Sequence, residues 1–185
     1  MVTIKAHPEP LFTGSCFCKA INFTLNQLPT TSRLCHCTDC RKWTSTSYSH
    51  DTVFPKSALN ITVSEQHASG PGWTGSKASS DPAPKPITES DRPVKLQDSQ
   101  VKGSGLTVFG SDKEGTLQFC SICGTTLFIT VSGSHAAVEY VVVPAGTIDG
   151  SEVDERLKPT KEFWCMRKEK WLPAVVGEEQ CFDKN

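Results

Sequence analysis

Gly14-Ser15-Cys16-Phe17-Cys18-Lys19-Ala20-Ile21-Asn22-Phe23-Thr24-Leu25 joins a close pair of cysteines to a run in which Ile21, Phe23 and Leu25 alternate with polar residues. Alternation at a period of two places the three apolar side chains on one face and predicts a half-buried strand. At the edge of such a strand, Cys16 and Cys18 point the same way and can grip one ion. Further strand signals recur at Leu59–Val63, after an extended stretch that begins at Asp51, and at Leu106–Phe109, Leu117–Phe119, Thr125–Val131, Ala136–Val143 and Lys161–Cys165. Val, Ile, Thr, Phe and Tyr dominate the longest two of these. No window carries a helical period, so the expected class is mainly β.

At 185 residues the chain suits one hydrophobic core, and a single domain over 1–185 with its core at about 12–175 is expected. Between Glu65 and Gly105 the composition changes. This stretch holds five of the 12 prolines and five of the 13 glycines but few large apolar residues, and reads as a long flexible insertion loop. Trp73 is its one large aromatic, read as an exposed loop residue, with capping of a substrate cleft as the alternative. The formal net charge of −1 gives no basis for a nucleic-acid or anionic-membrane surface. MVTIKAHPEP at the start has no apolar core of a signal sequence, and no apolar run approaches the roughly 20 residues of a membrane span. A soluble cytoplasmic protein is the expectation.

In a reducing compartment, closely spaced cysteines, here seven of the nine, point to metal rather than disulfides. Cys16/Cys18 and Cys35/Cys37 are separated by one residue and Cys120/Cys123 by two, which suits chelation better than bridging within a pair. Cys165 and Cys181 stand apart and read as buried or incidental thiols. The other seven divide into four and three. Cys120-Ser121-Ile122-Cys123-Gly124 has the form of a zinc-knuckle turn, with glycine free to take positive φ. Joining it to Cys16 and Cys18 makes a closed four-thiolate site that pins the first strand to the later sheet.

Cys35-His36-Cys37-Thr38-Asp39-Cys40 supplies three sulfurs and no fourth. Water, a substrate thiol, or His36 or Asp39 can complete such a site, and a second closed structural zinc is the alternative to an open one. Strand alternation turns His36 away from Cys35 and Cys37. Three thiolates make zinc a soft, weak Lewis acid, suited to sulfur ligands and to reactions at carbon attached to sulfur. Arg41 and Lys42 read as solvated cations, with a hold on a substrate carboxylate as the alternative. Arg167, Trp164 and Trp171 read as packing and surface residues, with contact to substrate as the alternative.

The segments GSCFCKAINF (14–23), LCHCTDCRK (34–42) and LQFCSICGTTL (117–127) together resemble the glutathione-dependent formaldehyde-activating enzyme family, whose domain also appears in centromere protein V. VVVPAGTIDG (141–150) resembles the family's strand and Gly-x-Leu/Ile-Asp turn, and Pro159 through Leu172 its closing segment. The likeness runs from about Gly14 to Trp171. It implies a zinc-organised, mostly antiparallel β-tent fold of two or three sheets, with two Zn2+ per chain. Cys16, Cys18, Cys120 and Cys123 would then hold the structural ion, and Cys35, Cys37 and Cys40 the catalytic one. The activity implied is that of a carbon–sulfur lyase on a small-molecule glutathione or other thiol adduct, as in S-(hydroxymethyl)glutathione synthesis. Two alternatives stand beside it: zinc-assisted elimination or dehydration of a larger metabolite, and a non-catalytic zinc-binding module.

Overall fold

The computed structural model describes residues 9–63, 92–94, 106–111, 115–130, 139–177 and 180–183. Among these the class is mainly β, in two sheets. The smaller sheet runs β1 (Phe12–Ser15), β2 (Ile21–Leu25), β5 (Leu59–Val63), β6 (Arg92–Val94), all antiparallel. The larger has eight strands in the order β12 (Cys181–Phe182), β11 (Lys161–Phe163), β3 (Thr31–Cys35), β4 (Ser49–Pro55), β10 (Tyr140–Pro144), β9 (Thr126–Thr130), β8 (Gly115–Cys120), β7 (Leu106–Ser111). Apart from β6, which pairs with β5, the 65–105 stretch and its Trp73 lie outside the described residues, as do positions 136–138 of the strand expected at Ala136–Val143.

The main core lies where the two sheets meet. Ile21, Phe23 and Leu25 are buried while Asn22 and Thr24 are partly exposed, as the period-two pattern requires. They pack with Ile61 and Val63 of β5, Phe54 of β4, Phe128 of β9, and Val141 and Val143 of β10. Two edge-to-face aromatic pairs tie the sheets together, Phe23–Phe128 at 5.3 Å and Phe12–Phe54 at 6.0 Å between ring centroids. Val142 of β10 points to the opposite face, where it meets Leu117, Ile129 and Trp43. Gly14 of β1 lies against the Phe23 ring and the Thr147 carbonyl, too close for any side chain.

Two sequence expectations are corrected. A seven-residue helix, α1 (Thr38–Thr44), stands where no helical period is visible. Two turns that bury no side chain leave no amphipathic pattern to read. What makes the helix is local: Cys37 caps it with its sulfur on the Cys40 amide, Asp39 sits in the first turn, and Arg41 and Lys42 sit in the last. The larger sheet is mostly antiparallel, as the resemblance implies, with β11 alone pairing in parallel, to both β3 and β12. Lastly, Cys165 and Cys181 are not separate thiols but a disulfide across 16 residues. It fastens the chain after β11 to β12, and Trp164 donates its backbone N–H to the Phe182 carbonyl beside it.

This packing carries two testable consequences. Gly14→Ala drives a methyl group into the Phe23 ring and the backbone at Thr147, and is expected to cost about 2–3 kcal/mol in urea unfolding of the metal-loaded protein. For the disulfide, thiol labelling in denaturant and chelator without reductant is expected to modify seven cysteines, rising to nine after reduction. Closing a loop of about 15 residues is worth about 3 kcal/mol, so Cys181→Ser is expected to abolish hydrogen-exchange protection of the Trp164 amide.

Candidate metal centre

Cys16 and Cys18 sit in the turn between β1 and β2 rather than on a strand, which corrects the reason expected for their pairing. The turn is tight: the Lys19 amide donates to the Cys16 carbonyl at 2.9 Å, and Lys19 takes a left-handed φ of 59°. That curl, not strand pleat, brings the two sulfurs to 3.6 Å. A matching turn follows β8. There Gly124, at φ 74°, donates its N–H to the Cys120 carbonyl, and the Cys120 N–H reaches the Thr125 carbonyl. Phe17 N–H donates to Thr125 Oγ1 at 3.1 Å, so the two turns are also bonded directly to each other.

The sulfurs of Cys16, Cys18, Cys120 and Cys123 lie within 4.8 Å of one another, and Cys18 Sγ is 3.8 Å from Cys120 Sγ. An ion bonded tetrahedrally to four sulfurs at about 2.3 Å holds them about 3.8 Å apart, a spacing that the Cys16–Cys18 and Cys18–Cys120 pairs come close to. Cys16 and Cys120 are buried in the main core. So many thiols in contact cannot all ionise in the absence of a cation. Hydrogen bonding to Cys120, together with burial, pushes the Cys16 thiol far up, while the same bond holds Cys120 low, at about 5. Burial raises Cys18 to about 11. A divalent cation relieves this conflict by replacing the retained protons with positive charge.

Cys35, Cys37 and Cys40 form a second group, also within 4.8 Å, which includes no fourth Cys, His, Asp or Glu among the described residues. Each sulfur is positioned differently. Cys35 ends β3 and is held in register with Ser49 on one side and Phe163 on the other. Cys37 is the helix cap, and Cys40 lies one turn into α1, its N–H 3.3 Å from Cys37 Sγ. Hydrogen bonding with Cys35, burial and the nearby Asp51 carboxylate all push the Cys40 thiol up; burial does the same for Cys37. Asp51 is itself pushed up by burial, opposed in part by Arg33, whose Nε lies 3.8 Å away.

His36 and Asp39 are not part of the three-sulfur group. The His36 ring is buried edge-on to Tyr48, with Nε2 3.8 Å from the buried Glu162 carboxylate, and burial lowers its pKa. Glu162 in turn takes Lys168 Nζ on both oxygens, at 2.9 and 3.0 Å. These partners come from the closing segment, where neither Glu162, Lys168 nor Glu169 stands out in the sequence. The same segment supplies Glu169, which pairs with Arg41, and Arg167, which donates through Nη1 to Thr38 Oγ1 at 2.9 Å. Arg41 is thus already engaged by a carboxylate. Glu162 also joins Cys165 and Cys181 in a third cluster of metal-ligating residue types, but there the two sulfurs are bonded to each other and the carboxylate carries Lys168.

The family model described as glutathione-dependent formaldehyde-activating enzyme matches residues 11–81 and 90–167. The chain belongs to that family. All seven free cysteines fall inside the match, and its one interruption falls within the 65–105 insertion. A crystal structure of a Rhodobacter sphaeroides protein is similar over 78% of this chain and 92% of that one, at 17% identity and a TM-score of 0.42. No curated protein matches the chain. The family carries a glutathione-related, small-molecule function, and both cysteine groups can hold a metal ion. No described helix is long and apolar enough to cross a membrane.

The thiol chemistry generates a prediction. Protons held on Cys16, Cys18, Cys37 and Cys40 compete with a metal, so binding of Zn2+ at neutral pH is expected to release several protons per chain, seen with an indicator dye in weak buffer. Apparent affinity then falls as pH is lowered. Cys120→Ser, at the core, is expected to lose a metal and the cooperative unfolding transition together.

Proposed function

We propose that the protein is a zinc-dependent carbon–sulfur lyase acting on an adduct of glutathione or a related thiol, with two zinc ions per chain. The reading rests chiefly on one contrast. Four sulfurs gather at Cys16, Cys18, Cys120 and Cys123, enough to complete a four-coordinate site, whereas Cys35, Cys37 and Cys40 supply three with no fourth ligand-type side chain in the described residues. The family supports the thiol and aldehyde character of the chemistry.

The first group serves the fold, since it joins turns 102 residues apart through Cys18 and Cys120. The second serves the reaction. Bound there, zinc would supply positive charge that favours the deprotonated form of a thiol substrate. In the synthetic direction the substrate sulfur's electron pair forms a bond to the aldehyde carbon, and the former carbonyl oxygen gains a proton. The lyase direction breaks the same carbon–sulfur bond and returns the proton. The chain's contribution is geometric. The β3–β4 ladder holds Cys35, and the capped helix holds Cys37 and Cys40, so the three sulfurs are kept within 4.8 Å of one another.

The test is NMR exchange spectroscopy on zinc-loaded protein with glutathione and formaldehyde, followed by a panel of other aldehydes and thioether conjugates. Accelerated exchange between free aldehyde and thiol adduct is expected. Cys37→Ser is expected to keep the fold, lose one of two zinc ions and slow exchange by about 100-fold or more. A variant that unfolds, or a wild-type protein that holds one zinc and turns over nothing in the panel, would make both groups structural and the protein a zinc-binding module.

A further inference from the structure

Besides Arg33, which faces Asp51, four cations stand beside the three-cysteine turn: Arg41 and Lys42 on α1, and Arg167 and Lys168 on the closing segment. Two are consumed internally. Arg41 is paired with Glu169 and Lys168 with Glu162. Lys42 and Arg167 are exposed, with no carboxylate partner among the described residues, but they differ in how they are held. No contact fixes the Lys42 ammonium there. The Arg167 guanidinium is fixed twice, through Nη1 to Thr38 Oγ1 at 2.9 Å and by stacking 4.9 Å above the Trp164 ring. Thr38 directly follows the ligand-type residue Cys37.

The backbone under this arrangement is unusual. Trp164 takes a left-handed φ of 59°, a conformation that costs a bulky residue about 1 kcal/mol or more. Its surroundings enforce it: the N–H of Trp164 is bonded to Phe182, and the next residue is locked in the Cys165–Cys181 disulfide. The Met166 N–H is held by Asp183 Oδ1 at 3.0 Å. The effect is to turn the Trp164 ring beneath Arg167 and to rest the guanidinium against the first residue of α1. A planar fork on an exposed side chain, held in place with only one N–H committed, is pre-organised for a carboxylate.

We propose that Arg167 is the substrate-anchoring residue of the three-cysteine site, selecting thiols that carry a carboxylate. This deepens the lyase reading and rests on its open coordination position. A thiol sulfur placed at the fourth corner beside Cys37 puts a carboxylate a few bonds away within the neighbourhood of the residue that Thr38 holds. Arg41, with Glu169 on it, lacks the free charge to do the same.

The discriminating pair of probes is 3-mercaptopropionate and its neutral amide, 3-mercaptopropionamide, which differ only in the anchored group. Each is titrated into Co2+-substituted protein while the cobalt–sulfur absorption is followed, so binding is read without turnover. The wild-type protein is expected to bind the carboxylate about tenfold more tightly than the amide, the worth of a hydrogen bond to a charged group. Arg167→Gln is expected to erase that preference while leaving amide affinity unchanged. Arg167→Lys restores part of it, keeping the charge without the fork, and Lys42→Gln retains it. Equal wild-type affinity for the two probes, persistence of the preference in Arg167→Gln, or its loss in Lys42→Gln overturns the assignment of Arg167 while leaving the open-site reading standing. A cobalt spectrum that neither thiol perturbs removes the open site itself, and the anchoring role with it.

Discussion

The fold depends on the meeting of two turns, Cys16–Cys18 after β1 and Cys120–Cys123 after β8. Each turn is tight, each presents two sulfurs, and each belongs to a different sheet. Apolar burial between the sheets does much of the work elsewhere, through Phe23, Phe128 and their neighbours, but at this corner the core ends in thiols. Four sulfurs within 4.8 Å would be repulsive if ionised and poorly satisfied if protonated. The pull of Cys120 down and Cys16 up is the local trace of that conflict. A chain that places such a group inside its core makes folding and metal chemistry one problem.

The second cysteine group is organised on a different plan. It sits where β3 passes into a two-turn helix, against a short parallel ladder with β11. Three charged pairs stand near it: Glu162 with Lys168, Arg41 with Glu169, and Asp51 with Arg33. Buried carboxylates are tolerable only with such partners; Arg41–Glu169 ties α1 to the closing segment, and Arg33–Asp51 ties β3 to β4. The disulfide at Cys165 and the short β12 strand then hold the segment's end. Rigid support on both sides suits a group whose geometry must be kept with only three corners supplied by the chain.

Much of this was legible in the residues. The alternation of Ile21, Phe23 and Leu25 located a strand and its buried face, because strand pleat maps period two directly onto burial. The division of seven cysteines into four and three followed from counting, and the four-sulfur and three-sulfur clusters have that membership. His36 lying apart from the sulfurs was readable from its place between Cys35 and Cys37. By contrast, α1 escaped notice because a helix too short to bury a face has no periodic signature; its causes are a cap and a few end charges. The Cys165–Cys181 bond was invisible for another reason. Two lone cysteines 16 residues apart become partners only when β12 returns beside β11, a pairing set by packing.

Sequence by itself therefore determined the class of the fold, the family and the two groups of sulfurs, since each rests on spacing along the chain and spacing survives any folding. Tertiary structure alone decided which cations near the three-cysteine turn are neutralised and which are free. Arg41 and Arg167 are equivalent as residue types, and their one-dimensional contexts do not separate them. The difference comes from Glu169 lying on one and Trp164 and Thr38 lying on the other. Electrostatic partners are matters of a few ångströms between residues more than 100 positions apart, and only the folded chain sets those distances.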